Sequence, residues 1–359
     1  MQLRRFQAQG FRNLAPTQLS LPAGVSLLHG ANGSGKTSLL EAIYALATGR
    51  SFRSNRLASV INYQQNALTL FGEVGYASGR VSRLGVVRAS QGNAVLKLDG
   101  ERVSSNRLLA EALPLLLIHP ESINLIMGSP EQRRRFLDWG VFHVEQGYGE
   151  AAAAFRRILE HRNAALRQGT RDLGSWNAQF LQAAERINHS RIVYLESLEP
   201  LVAAALEMLG GVEQVSLRYQ PGWDRRRSLE ATLEAQAELD RQSGFTRAGP
   251  QRAELRLEVD GRKASECLSR GQQKVLACAL LLAQNERLRA AQGLGALVLV
   301  DDLAAELDLA HRLRLANALL DQGGQILMTA VEPDLVLEGL ARAEEVTLFH
   351  VEQGQITPA

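Results

Sequence analysis

The stretch GANGSGKT, residues 30–37, fits the pattern G-x-x-x-x-G-K-[ST] in full. It follows the apolar run VSLLH and precedes SLLEAIYALA, whose apolar positions recur at helical spacing. Strand, loop and helix in that order build a phosphate cradle. Gly30, Gly33 and Gly35 let the backbone of Ala31, Asn32 and Ser34 turn its N–H groups onto phosphate oxygens, with the positive end of the helix behind them. Lys36 then reaches the β- and γ-phosphates, and Thr37 offers its hydroxyl to Mg²⁺. The cofactors this points to are ATP and Mg²⁺.

ALVLVDDL, residues 296–303, is an apolar run ending in two acids. A wholly apolar strand suits the middle of a sheet covered on both faces, and carboxylates at its carboxyl end face the ligand crevice. Asp301 is placed in the Mg²⁺ shell and Asp302 beside the attacking water, so Asp302 and Lys36 are the catalytic candidates. A third stretch, LSRGQQKVLACALLLA at 268–283, opens an apolar helix with Ser269 and Gly271. The spacing predicts a helix buried nearly all round, whose fixed amino end presents Ser269 and backbone amides to a γ-phosphate. Beside a complete phosphate loop, a second anion-binding end is redundant within one molecule. It makes sense if it serves a nucleotide held by another copy, as in two molecules clamping two ATPs head to tail. The bland alternative is an ordinary capped core helix.

The elements that must position these groups are widely spaced. Lys36 and Asp301 stand 265 residues apart, which a compact P-loop kinase or GTPase would not show. The spacing implies an insertion between two halves of one head. The first third alternates short strands (2–8, 25–29, 113–118 and the runs ALTLFGEV, RVSRLGVV and AVLKLDGERV) with few helices. From about 130 to 208 the pattern is helical, with a turn at 169–174. Strands return at 212–220 and 253–259. The last third reads helix 271–290, strand 296–300, helix 309–321, strand 325–330 and strand 345–351.

Composition bounds the class. The chain has 359 residues, 45% hydrophobic and 22% charged, enough for a packed core in roughly two domains. A net charge of +2 is too weak to argue nucleic acid by itself. Of 40 basic residues only four are lysine, one of them Lys36. Cys267 and Cys278 have neither metal spacing nor a disulfide framework. The amino terminus has no apolar signal region, and no apolar stretch approaches the ~20 residues of a membrane helix. The expectation is a soluble cytoplasmic protein with no membrane partner.

GANGSGKT, LSRGQQK, VLVDDLAAELD and the early GFRNL together resemble the ABC-type ATPase heads of structural-maintenance and recombination proteins. EAIYALATGRSFRS, LPLLLIHPESINLIMGSPEQRRRFLDWGVFH and RNAALRQ are similar, more closely, to the bacterial RecF family of recombination mediators, over nearly the whole chain. The resemblance implies an α/β fold: an ABC-type head from 1–118 plus 245–359, with a helical arm inserted over 119–244. It implies ATP-driven dimerisation on single-stranded, duplex or gapped DNA, weak DNA-stimulated hydrolysis, and work in repair, replication and the SOS response beside mediators such as RecR. It places Arg12 and Asn13 of GFRNL at the nucleotide and Asp308 in the loop that crosses the dimer interface.

Departures from that pattern are few. Asp302 stands where transport relatives have Glu, which implies slow hydrolysis. Thr329 replaces the usual switch histidine, and no lid glutamine is assigned after Ile118. Gln251 and Glu254 stand where the family commonly has His and Asp, leaving that loop's role open. Arg50, Arg53 and Arg56, with Arg133 to Arg135, are candidate phosphate contacts on DNA, against the alternative of a solvated face. Phe52, Trp139, Trp176 and Trp223 read better as packing than as base platforms. An ABC transporter subunit is the competing function, disfavoured by Arg270 within the signature, the paired aspartates and the helical insertion. A small-metabolite kinase is disfavoured by the 265-residue separation.

Overall fold

The computed structural model describes residues 1–359 apart from Asn55, Arg171, Glu213, 303–306, Gly339 and the side chain of Leu335. Leu303 to Glu306 of the acidic segment therefore lie outside the described residues. The chain divides into two compact units, Met1–Ser122 with Met208–Gly210 and Cys278–Ala359, and Ile123–Glu207 with Gly211–Ala277. Residues 245–277, read from sequence with the head, fall in the second unit.

The first unit holds two six-stranded sheets. One is antiparallel, ordered Thr17–Ser20, Gln2–Gln9, Ala67–Gly75, Val81–Ala89, Val95–Leu98 and Glu101–Val103. Inward and outward residues alternate along these strands, as in Val81–Ala89 where Ser82, Leu84 and Val86 are buried. In the other sheet, Leu115–Ile118, Leu297–Val300, Ile326–Ala330, Val25–His29 and Thr347–Glu352 run parallel in that order. Gln355–Pro358 closes its edge antiparallel. Every residue of Leu297–Val300 and Ile326–Ala330 is buried, because parallel central strands are covered on both faces.

The helix Lys36–Thr48 packs into the core that these sheets share. Leu39, Leu40, Ile43 and Leu46 are wholly buried among Leu3, Phe6, Leu70, Leu84, Leu28 and Leu299. Each such side chain contributes about 1.5–3 kcal/mol relative to exposure, so the helix that carries Lys36 and Thr37 is firmly seated. It starts at Gly35 (φ 119°) and stops at Gly49 (φ 66°), whose N–H bonds the Ala45 carbonyl at 2.8 Å.

The second unit carries the long helices Pro130–Val144, Tyr148–Arg167 and Gly174–Leu209, with a small sheet of Val215–Gln220, Glu254–Val259 and Arg262–Lys263. Two short helices, Leu229–Ala235 and Ala237–Ser243, follow the first strand of that sheet. Buried arginines anchor ion pairs within this unit. Arg162 meets Asp240 at 3.0 Å and Asn177 at 2.9 Å, and Arg191 meets Asp138 at 2.8 Å and the Pro250 carbonyl at 2.8 Å. Arg270–Gln292 starts in this unit and continues into the first.

Candidate functional site

The parallel strands of the first unit end in a cavity of about 360 Å³, lined by Asn32, Gly33, Gly35, Lys36, Thr37, Asp301, Asp302 and Thr329 among others. Carboxyl ends of parallel strands are where open α/β sheets bind ligands. Gly30, Gly33 and Gly35 take φ of 148°, 79° and 119°. A side chain at Gly30 would put its Cβ 2.2 Å from the Val351 carbonyl oxygen, so that position admits no other residue without a shift.

Lys36 donates to the carbonyls of Gly30 at 2.7 Å and Ala31 at 3.0 Å, bridging its own loop. Burial lowers its pKa, and the nearby Asp302 and Asp301 act the other way. Ser34 is buried, and its hydroxyl has no hydrogen-bond partner among the described residues. An orphaned hydroxyl within the loop suits a phosphate oxygen.

Asp301 and Asp302 follow Leu297–Val300 directly. The Thr37 hydroxyl donates to Asp301 Oδ1 at 2.8 Å, and the Thr329 hydroxyl donates to the same oxygen at 3.0 Å. Thr329 Oγ1 also accepts the Asp302 N–H at 2.8 Å, while Asp302 takes φ 53°. One buried hydroxyl thus orients the Asp301 carboxylate and pins the backbone of Asp302. Adjacent hydroxyl and carboxylate oxygens are the hard ligands Mg²⁺ prefers.

Arg12 and Asn13 reach the same cavity by different routes. Asn13 donates to the Gly33 carbonyl at 3.0 Å and accepts from Ser38 at 2.7 Å, tying GFRNL to the phosphate loop. Arg12 is bidentate on Glu41, including an Nη2–Oε1 bond of 2.8 Å, and Glu41 is wholly buried. Ser51 also donates to Glu41, and Arg53 stands 3.9 Å from it. Glu41 was not singled out in sequence: it sits on the helix between apolar residues and resembles an ordinary solvated glutamate. Its signal lay in the arginines of distant loops, which only tertiary contact brings to it.

The remaining sequence candidates are placed elsewhere. Asp308 is in the first unit but caps Leu309–Gln322, accepting the His311 N–H at 2.9 Å, and does not line the cavity. Ser269 and Gly271 belong to the second unit, exposed at the start of Arg270–Gln292. Ser269 accepts the Gln272 N–H at 3.4 Å while Gln272 accepts the Ser269 N–H at 2.9 Å, a reciprocal cap. Residues 275–283 are all buried, as the apolar pattern required.

The arginine candidates separate. Arg50, Arg53 and Arg56 are all exposed, and of the three Arg53 lines the cavity. Arg133 is bidentate on Glu254 at 2.8 and 2.9 Å, and Arg134 bonds the Ala253 carbonyl at 2.8 Å. That pairing accounts for Glu254, whose role the sequence left open; Gln251 bonds the Ala248 carbonyl at 3.0 Å. Phe52 packs edge-on to Tyr44 and His119, Trp139 lies 4.4 Å from the His143 ring, and Trp176 stacks on His161, all of them local packing.

A family model described as the RecF/RecN/SMC N terminal domain matches residues 2–357. The DNA replication and repair protein RecF of Pseudomonas fluorescens strain Pf0-1 is 44% identical over 360 residues, covering 99% of this chain and 98% of the relative. This chain belongs to the RecF family. RecF of P. fluorescens strain Pf-5 is 45% identical over the same span and shares. A solved structure of the recombination mediator protein RecF with ATP in the RecFOR pathway superposes with a TM-score of 0.85 at 24% identity, covering 99% of this chain and 97% of that one. The fold is therefore the ABC-type P-loop head of the RecF and SMC proteins. Family membership places the chain among DNA replication and repair proteins and does not favour a transporter subunit. Among the described residues no helix is long and apolar enough to cross a membrane.

Proposed function

We propose that this RecF-family chain is a cytoplasmic, ATP-driven DNA-binding switch of replication and repair. The observation that carries the reading is the convergence of Lys36, Thr37, Asp301 and Asp302 on one cavity across 265 residues of chain. The loop of Gly30 to Thr37 holds the phosphates, with Lys36 moving from its loop carbonyls to the β- and γ-oxygens. Thr37 and Asp301 would hold Mg²⁺, which would supply positive charge to the phosphates. Asp302 orients and polarises the attacking water, its backbone fixed by Thr329. Glu41 sets the guanidinium of Arg12 beside the cavity. The solved RecF structure is one with ATP, which supports the same ligand here.

The same reading makes 1–118 with 245–359 the ATPase head and 119–244 the arm. Two copies close on two nucleotides, each offering Ser269 and Gly271 to the other's γ-phosphate, with Asp308 at the seam. Hydrolysis is weak and stimulated by DNA, and the dimer acts on single-stranded, duplex or gapped DNA beside mediators such as RecR. The test is Lys36→Ala. Titration with ATP is expected to lose binding, because the phosphates lose their loop cation; affinity within a few-fold of the parent chain would reject the phosphate-loop assignment.

A further inference from the structure

His29 ends the strand that runs into the phosphate loop, and its partner in register on Thr347–Glu352 is His350. The two rings lie tilted to each other with centroids 5.1 Å apart. Neighbouring histidines on adjacent strands are ordinary packing. This pair differs in an orphaned nitrogen and in its setting. Nε2 of His29 is buried without a hydrogen-bond partner among the described residues, so no internal bond fixes whether it carries a proton. The next residue, Gly30, holds Lys36 Nζ on its carbonyl at 2.7 Å. Val351, which follows His350, comes so close to Gly30 that a Cβ there would stand 2.2 Å from the Val351 carbonyl oxygen. The histidines thus sit at the root of the loop that carries Lys36. The charged groups that act on His29 are His350 and Lys36. Ile326–Ala330 on its other side and Gln355–Pro358 beyond His350 carry no ionisable side chain. The carboxylate of Glu352 faces His350, 3.9 Å from its Nε2. Burial first, then His350 and Lys36, hold the His29 pKa below the usual histidine value.

We propose that His29 takes up a proton when a nucleoside triphosphate enters the loop, so that pH sets nucleotide affinity through a residue that does not line the cavity. This rests on the phosphate-site reading and adds a regulation to it. The triphosphate acts on His29 in two ways of the same sign. It brings negative charge to the loop, and it pairs the Lys36 ammonium, which otherwise repels a proton on His29. The bound-state pKa of His29 then lies above the free-state one. Between the two values, binding draws a proton from solvent onto the bare ring nitrogen. Affinity therefore rises as pH falls through the bound-state pKa and levels off below the free-state pKa.

The experiment is calorimetric titration of the full chain with ATP at saturating Mg²⁺, from about pH 8 to about pH 6, in buffers of different ionisation heat. The parent is expected to show a buffer-dependent heat that reports proton uptake. Its ATP affinity is expected to be about three- to ten-fold higher at the acid end, the effect of a pKa rise of up to about one unit. His29→Gln keeps a polar side chain without a titrating ring, and is expected to lose the uptake and flatten the profile. His350→Gln removes the repelling neighbour and leaves His29. Uptake is then expected to persist and to shift to higher pH, which a packing role alone does not produce. Identical pH profiles in the parent and His29→Gln overturn the proposal, as does a His350→Gln profile that stays where the parent's lies. Lys36→Ala separates the two layers: ATP binding unchanged there rejects the phosphate site itself. Binding lost there, with no proton uptake in the parent, rejects only the role of His29.

Discussion

Thr329 Oγ1 donates to Asp301 and accepts from the Asp302 N–H, so one side chain holds the Asp301 carboxylate and the Asp302 backbone. Thr329→Val keeps the β-branched shape and strips both bonds. ATP turnover is expected to fall about 10–100-fold, the usual cost of removing a group that orients a metal ligand. Single-turnover hydrolysis checks it, and unchanged turnover would show that the strand alone positions the acids. His143 offers a different test. It is 5% exposed against Trp139 and Phe142, and burial lowers its pKa to about 3. The unfolded chain takes up this proton near pH 6.5, whereas the folded chain resists until about 3, so the unfolded state binds more protons between those values. Stability therefore falls as pH drops through that window. Urea midpoints measured from pH 7 to 4 are expected to decline, and the decline is expected to be shallower in His143→Gln.

At the scale of elements, the phosphate loop is propped from beneath by the turn of the carboxyl-terminal hairpin. The Gly354 N–H bonds the Ser34 carbonyl at 2.7 Å, and the Gly354 carbonyl accepts the Ala15 N–H at 3.1 Å. Gly354 takes φ 80°, and a Cβ there would meet the Asn13 carbonyl oxygen at 2.0 Å. Gly354→Ala is therefore expected to weaken nucleotide binding although residue 354 does not line the cavity. A titration indistinguishable from the parent's would mean that the loop holds its shape without the hairpin. In the second unit, Arg133 bridges Pro130–Val144 to Glu254–Val259 through Glu254. Arg133→Ala is expected to cost about 1–3 kcal/mol, typical of charged hydrogen bonds, in a denaturant midpoint. Arg135→Ala, whose exposed pair with Glu131 is one helical turn long, is expected to cost under ~0.5 kcal/mol.

For the whole molecule, the proposed clamp makes DNA affinity depend on ATP. A single copy of net charge +2 exerts little general pull on a polyanion, and two copies side by side double the arginines facing one stretch. Each neutralised phosphate adds a slope of about −0.9 in log affinity against log salt, so the slope is expected to be steeper with ATP than without. Equal slopes would remove the clamp. Arg50 and Arg56 are exposed candidates for those contacts that do not line the cavity, and replacing both by Ala is expected to flatten only the ATP-bound slope. Ser269→Arg is expected to leave ATP binding to one copy intact and to block ATP-dependent dimerisation in sedimentation. Loss of binding to the single copy would place that helix end on its own nucleotide.

What could be read along the chain was whatever depends on short-range pattern. GANGSGKT specifies its loop through glycine φ values, the buried strand before Asp301 shows as an unbroken apolar run, and residues 275–283 show as a helix apolar on every side. The long helices of the second unit announce themselves by periodicity. The tertiary structure alone decided which groups share a cavity and which arginines are already taken. Glu41 and Arg12 are 29 residues apart, Arg133 and Glu254 are 121, and no local pattern marks either pair as partners. The prop beneath the phosphate loop comes from the far end of the chain, where Gly354 meets Ser34. A buried carboxylate or a glycine under a loop is fixed by what packs on it, and packing is a property of chain segments that meet only after folding.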